Sequence, residues 1–226
     1  MLHLPNEILE AIASWLETQR DIYALVRTSR QLRDALNSTL YRRNVEDSGG
    51  SALTWAVDYR REETAIKAIR AGAPGGEALW CSVFHKDEKM VKLILSSDNA
   101  DGNFQDSVGD SPLLAAVRLR NDSMLKLLLG SGKVKVDLGD WRGRTPLFNA
   151  AGSGYTSGVE LLLDSDESEM RRGNDDAYKV LDRAIERGHA PVVKLLMEYA
   201  GIAADSPVMR NSLGVQGQTP LCRALY

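Results

Sequence analysis

The sequence predicts an all-α fold, an array of short helix pairs that follows a small helical module of a different pattern. Three observations predict it. Leu79, Leu113, Leu147 and Leu181 recur at a constant step of 34 residues, and so do Ser82, Ala116, Ala150 and Ala184, and Met90, Met124, Gly158 and Val192. Each recurring window divides into two stretches of helical periodicity. The first 45 residues share neither the step nor the motif. A fixed period of this length is the mark of a quasi-one-dimensional array of repeated units rather than of one folded-back domain.

Windows 76–95, 110–129 and 144–163 align without gaps, and window 178–197 continues the series. In the first stretch of a window, Leu113, Ala116 and Val117 lie at i, i+3 and i+4 and share one helical face. Ser111-Pro112 and Thr145-Pro146 are expected to start that helix, because a hydroxyl caps an orphan N–H and proline fits the first helical position. The second stretch is an apolar run, Met90, Val91, Leu93, Ile94 and Leu95 in one unit and Met124, Leu125, Leu127, Leu128 and Leu129 in the next. Such a pair cannot bury both faces alone. Each large side chain covered by a neighbouring pair contributes about 1.5–3 kcal/mol, so stacking is the expected source of stability. Gly158 stands where other units have an apolar residue and is expected to weaken its helix by about 1 kcal/mol relative to alanine.

These units resemble the ankyrin repeat, whose signature is Thr-Pro-Leu-His-x-Ala with Gly-His before the second helix. The signature stands here as Ser111-Pro112-Leu113-Leu114-Ala115-Ala116, Thr145-Pro146-Leu147-Phe148-Asn149-Ala150 and Thr219-Pro220-Leu221-Cys222-Arg223-Ala224, and the Gly-His pair as Gly188-His189. Gly75, Gly109 and Gly143 recur at the hairpin position, where positive φ is expected. The next unit carries Ala177 there and Lys179-Val180 in place of Thr-Pro, so an irregular hairpin is expected. A weaker unit runs from Ser51 to Ala73. The resemblance thus implies an ankyrin-repeat solenoid over residues 50–226, of about five repeats and an incomplete last unit. That unit is read either as a half-cap or as a cut chain, with Leu221 and Leu225 partly uncovered.

Residues 1–45 read as three short amphipathic helices. Ile8, Leu9, Ile12, Trp15 and Leu16 form one face of a helix that Pro5 begins; Asp21 precedes a second with Ile22, Leu25 and Val26; Ser29 precedes a third with Leu32, Leu36 and Leu40. Three such helices make a marginal core on their own. The segment resembles the F-box, through Leu4-Pro5-Asn6-Glu7-Ile8-Leu9, Ile12, Leu16, Ala24-Leu25-Val26, the basic residues Arg27, Arg30 and Arg33, and the Leu40-Tyr41 close. It departs at Arg27 and Leu32, where many members have Cys and Trp. The resemblance implies an adaptor that docks the Skp-type subunit of an SCF (Skp–cullin–F-box) ubiquitin ligase through Leu4, Pro5, Ile8, Leu9, Ile12, Leu16, Leu25 and Val26, while the repeats hold a target protein. The competing reading is that these side chains only pack within the module and against the first repeat, leaving a plain interaction scaffold.

The ankyrin resemblance implies that a target is met by hairpin tips and first helices, between the framework positions. The tips are then Ser107, Val108 and Asp110 in one unit, Trp141, Arg142 and Arg144 in the next, and Asp175, Asp176 and Tyr178 in the irregular one. Trp141 is read either as a binding hot spot, since Trp and Arg dominate such sites, or as an aromatic folded over its neighbour. The run Asp164-Ser165-Asp166-Glu167-Ser168-Glu169 reads as a solvated loop.

Composition sets the remaining expectations. The chain has 226 residues, 43% of them hydrophobic and 26% charged, which is ordinary for a folded globular protein. With 28 basic and 31 acidic residues its net charge is -3, so no electrostatic footprint for nucleic acid is expected. No apolar run reaches the roughly 18–20 residues of a membrane span, and MLHLPNEILE lacks the layout of a secretory signal. Two cysteines, Cys81 and Cys222, are too few for a disulfide framework, so an intracellular setting is expected. His3, His85 and His189 lack metal-site spacing, and the ankyrin resemblance implies a structural hydrogen bond for His189 in its Gly-His position. No phosphate-binding glycine motif occurs. Neither a cofactor nor catalysis is expected.

Overall fold

A computed structural model describes residues 30–165 and 175–200 of the chain. They form eleven helices with no strand among the described residues: α1 (Arg30–Ser48), α2 (Ser51–Asp58), α3 (Glu62–Arg70), α4 (Gly76–Phe84), α5 (Glu88–Leu95), α6 (Pro112–Arg118), α7 (Asp122–Gly130), α8 (Pro146–Gly152), α9 (Thr156–Leu163), α10 (Asp175–Glu186) and α11 (Ala190–Ala200). Helices α2 to α11 make five successive pairs. The chain divides into two compact units, residues 1–101 and 102–226.

In the first unit α1 packs on α2 and α3, α2 on α3 and α4, α4 on α5, and α3 on α5. In the second, α6 packs on α7 and α8, α7 on α9, α8 on α9 and α10, α9 on α11, and α10 on α11. First helices therefore lie against first helices and second against second, the arrangement that covers both faces of a pair. The periodic residues are what they cover. Leu79 and Leu113 are fully buried, Leu147 and Leu181 nearly so, and Ser82, Ala116, Ala150 and Ala184 are sealed completely. The small residue is what lets first helices approach. Where it is serine, the Ser82 hydroxyl donates to the Ala78 carbonyl one turn back, at 2.7 Å, so the interior holds no unpaired hydroxyl there.

Helix starts follow the local chemistry. The Leu114 N–H donates to Ser111 Oγ and the Phe148 N–H to Thr145 Oγ1, with Pro112 and Pro146 in the first turn, as the sequence predicts. In the second helices Asp87 and Asn121 accept from the Met90 and Met124 N–H groups in the same way. Each cap of this kind contributes about 1 kcal/mol. The turn between the helices of a pair always contains one left-handed residue: Arg60, Lys86, Arg120, Gly154 and Gly188, with φ of 52°, 56°, 50°, 65° and 71°. Glycine fits without strain; an arginine or lysine there costs about 1–2 kcal/mol.

Helix α1 continues past residue 45 to Ser48, because nothing in RRNVEDS breaks a helix. It stops at Gly49 and Gly50, both left-handed. Leu36 of this helix is fully buried, while Leu32 and Leu40 are half-buried. Asn44 joins it to α2: its carbonyl Oδ1 accepts from the Ala52 N–H at 2.9 Å and its amide donates to Ser51 Oγ.

Three expectations are corrected. Gly109 and Gly143 have positive φ, but Gly75 does not, at −91°. Glycine is needed at 75 for close approach instead, since a Cβ would sit 3.0 Å from Ile94 Cγ2 and 3.1 Å from Ala100 Cα. The unit carrying Ala177 places that residue inside a helix: α10 already includes Asp175, ahead of Lys179-Val180, so Asp175, Asp176 and Tyr178 are helical rather than at a hairpin tip. Without a Ser-Pro or Thr-Pro pair to set a later start, the helix reaches back to Asp175. Gly158, finally, is no defect. A Cβ there would overlap the ring of Tyr155, which is only 6% exposed. The missing side chain makes room for the aromatic one. We expect Gly158→Ala to lower stability by about 1–3 kcal/mol through overpacking, where helix propensity alone predicts a gain of about 1 kcal/mol. The urea unfolding midpoint distinguishes the two.

Candidate functional site

Two hairpins in the second unit, residues 106–110 and 140–144, share one internal lock. The Asp106 carboxylate accepts from the backbone N–H of Val108 at 3.0 Å and of Asp110 at 2.7 Å. The Asp140 carboxylate accepts from Arg142 at 2.9 Å and Arg144 at 3.1 Å. In each, the glycine N–H closes the turn on the aspartate carbonyl, Gly109 on Asp106 and Gly143 on Asp140, and the aspartate N–H donates back to the carbonyl of residue 110 or 144. An aspartate that satisfies two loop donors fixes the turn and leaves the two residues after it projecting. Those are Ser107 and Val108 in one hairpin, Trp141 and Arg142 in the other, all exposed.

The hairpins are joined to each other. Gln105 donates from its amide to Gly109 O at 2.8 Å and to Gly139 O at 2.9 Å. The Trp141 indole N–H donates to Ser107 O at 3.2 Å, and its ring lies over Gly109, where a Cβ would meet the ring at 2.9 Å. Trp141 remains 66% exposed and Val108 56%. Both sequence readings of Trp141 therefore hold at once: it is folded over its neighbour and it presents a broad, fixed aromatic surface. A side chain already held in place loses little rotamer freedom on binding.

Asp110 and Arg144 serve the frame rather than the outer surface. Arg118, at the end of α6, pairs with Asp110 and also reaches Asp140 at 3.4 Å, while Arg144 holds Asp140 through Nε at 2.8 Å. Asp110 is 7% exposed, so its predicted role as a free target contact gives way to this ion-pair network. The two carboxylates are not equivalent. Burial pushes Asp140 up, but the hydrogen bonds from Arg144 and the backbone outweigh it and hold the group below its ordinary value. Burial also pushes Asp110 up; Arg118 opposes this, but the Asp106 and Asp140 carboxylates add to the rise and the group stays above its ordinary value.

His189 fills the expected structural role. Its Nε2 donates to Gly152 O at 3.2 Å, and its ring covers Gly154. The corresponding position one unit earlier is Tyr155, whose hydroxyl donates to Asp122 under the Arg120 guanidinium; burial and that bond keep the phenol protonated. Cys81 is half-buried in α4, as expected of a small packing residue, and burial with Asp58 and Glu77 nearby pushes its thiol up to about 11. That is the opposite of an activated nucleophile. Cys222 lies outside the described residues.

Asp106, Asp140, Gln105 and Arg118 were not singled out from the sequence. A signal existed for the two aspartates, since each stands three residues before a hairpin glycine and they are one period apart. Gln105 and Arg118 carry no such mark. The candidates Leu4, Pro5, Ile8, Leu9, Ile12, Leu16, Leu25 and Val26 lie outside the described residues.

With the stacked pairs and locked hairpins in view, the fold is that of an ankyrin-repeat array. Comparison with protein families agrees: residues 79–174 match ankyrin repeats in three copies. Residues 1–46 match the F-box-like family, so the chain carries an F-box-like segment followed by ankyrin repeats. No curated protein matches the chain. Among the described residues no helix is long and apolar enough to cross a membrane.

The signs of the two carboxylate shifts give a test. The stabilisation from Asp140 is complete above the unfolded aspartate value of about 3.9 and is lost as pH falls through the lower folded value. Asp110 acts in reverse: its contribution is complete below about 3.9 and is lost as pH rises through the raised value. We expect Asp140→Asn to cost about 2 kcal/mol near neutral pH, through lost charge-assisted hydrogen bonds. Its penalty shrinks in acid, and Asp110→Asn costs less than Asp140→Asn near neutrality. Urea denaturation at about pH 7 and about pH 3 measures both, on either side of the ordinary aspartate value.

Proposed function

We propose that this chain is the substrate-recognition subunit of an SCF-type ubiquitin ligase, a non-catalytic adaptor whose F-box-like segment docks a Skp-type subunit and whose repeats hold a target protein. The observation that carries the reading is the order of the two modules, an F-box-like segment followed by ankyrin repeats. Both are protein-interaction modules, and an adaptor needs one of each kind. The contacts to the Skp-type subunit are Leu4, Pro5, Ile8, Leu9, Ile12, Leu16, Leu25 and Val26, the positions that match the F-box pattern.

For the target, the exposed hairpin residues Ser107, Val108, Trp141 and Arg142 supply the contacts, with Asp110 and Arg144 holding them in place. A fixed tryptophan beside an arginine is the composition of an interface hot spot. Asp175, Asp176 and Tyr178 are proposed as further target contacts, on the ankyrin pattern alone.

The expected outcome is a stable complex of the full chain with a Skp-type subunit on co-purification, abolished by Leu4→Ala with Pro5→Ala. If the wild-type chain forms no such complex, the repeats act as a scaffold without a ubiquitin role. Trp141→Ala should leave the Skp-type complex intact and weaken any target recovered with the wild type by about tenfold or more, measured by quantitative pull-down.

A further inference from the structure

The frame beneath the two hairpins carries more negative charge than its cations cover. Three carboxylates, Asp106, Asp110 and Asp140, meet two guanidinium groups, Arg118 and Arg144. Asp110 and Asp140 are buried and Asp106 is half-buried, so water does little to screen the excess. Arg142 is close in sequence but projects exposed from its tip, where solvent screens its charge.

Hydrogen bonds are shared unevenly among the three. Asp106 Oδ1 accepts from two backbone N–H groups. Asp140 accepts from two more through Oδ1 and from the Arg144 guanidinium through Oδ2. Asp110 pairs with Arg118 through Oδ2, while its Oδ1 is buried without a hydrogen-bond partner. Asp110 is thus the least supported carboxylate, and burial of an incompletely bonded one favours its neutral form. Arg118 also reaches Asp140 at 3.4 Å, so carboxylates of two different hairpins compete for one guanidinium.

We propose that this cluster is a proton-operated joint: when Asp110 takes up a proton, Arg118 passes to Asp140, and hairpin 106–110 loosens from hairpin 140–144. The charged groups facing Asp110 are Arg118 from α6, Asp106 from its own hairpin, and Asp140 and Arg144 from the neighbouring one. Burial and the two carboxylates outweigh the two arginines, so Asp110 holds a proton more readily than an ordinary aspartate. Asp140 stays ionised further into acid and is there to receive the guanidinium. Asp110 follows Gly109, which lies under the Trp141 ring, and the Trp141 indole is bonded to Ser107 O in the same hairpin. The joint therefore reports to the exposed tryptophan. Gln105 and Trp141 are uncharged ties that persist, so the hairpins shift without unfolding. Acid-sensitive holding of a target rests on the reading of these hairpins as the target surface; the joint itself does not.

The test is a nuclear magnetic resonance titration of the full isotope-labelled chain from about pH 7 to about pH 3.5, spanning the ordinary aspartate value. The Asp110 carboxyl carbon should titrate above about 3.9, and the Trp141 indole N–H signal should move with the same midpoint. Asp110→Asn should abolish that movement and hold the indole signal near its acid position at neutral pH. Arg118→Gln, which removes an opposing charge, should raise the Asp110 midpoint by about one pH unit or more. A constant circular dichroism spectrum over the range shows that the fold persists. An Asp110 midpoint at or below the ordinary value, an indole signal indifferent to pH, or one that still titrates in Asp110→Asn would each overturn the proposal. Should Asp110→Asn not fold, the Arg118→Gln midpoint decides, and an unchanged or lowered value overturns the joint. Co-purification of the full chain with a Skp-type subunit is measured separately at neutral pH. Its failure ends the ligase role and leaves the joint standing, while a failed titration with that complex intact ends only the joint.

Discussion

A short helix pair with apolar residues on both faces has no stable existence alone, and that constraint organises this molecule. The period of 34 residues is its solution. It returns a leucine and a small residue to the same place in each pair, so that first helices within each compact unit meet at close range. Within each compact unit the second helices likewise pack on one another, burying Met90, Val91 and Ile94 in the first and Met124, Leu125 and Leu128 in the second. Stability in such an array is a sum of neighbour contacts. The outward positions are left free to vary, and the exposed aromatic and charged side chains are found there.

The fold was legible because it is repetitive. The leucine step, the Ser-Pro and Thr-Pro helix starts and the left-handed Gly109 and Gly143 follow from local rules that recur in register, and the structural His189 from the ankyrin resemblance. Departures came where one residue's reason lay elsewhere in the chain. Gly75 meets Ile94 and Ala100, which no local rule reveals. Gly158 yields to Tyr155, a side chain only three residues away but one whose inward orientation is set by packing. Ala177 removed the signal for a turn, and the helix simply lengthened toward Asp175.

The surface was legible only in outline. The hairpin tips could be located from the glycine positions, and Trp141 stands out by residue type. What the tips are made of depends on pairing across a whole repeat: Gln105 reaching two carbonyls, Arg118 linking Asp110 to Asp140. Long polar side chains have many possible partners, and periodicity does not choose among them. Asp110 illustrates the point, since its place in the motif suggests an outward residue while Arg118 draws it inward. The exposed Trp55 and Tyr59 of α2 and Phe84 of α4 carry no mark in the sequence for a related reason. In a sequence, an exposed Trp and a core Trp look alike, and only burial separates them.

The left-handed turn between paired helices shows how such an array can vary without losing shape. Gly154 and Gly188 adopt it freely, whereas Arg120 is strained there. Yet from that strained turn the Arg120 guanidinium donates to the Ser153 carbonyl and covers the Tyr155 ring in the following pair. Backbone discomfort and side-chain grip offset one another at a single codon. The turn at Arg120 is thereby clasped to the following helix pair by its own side chain, a hold that a glycine turn cannot supply.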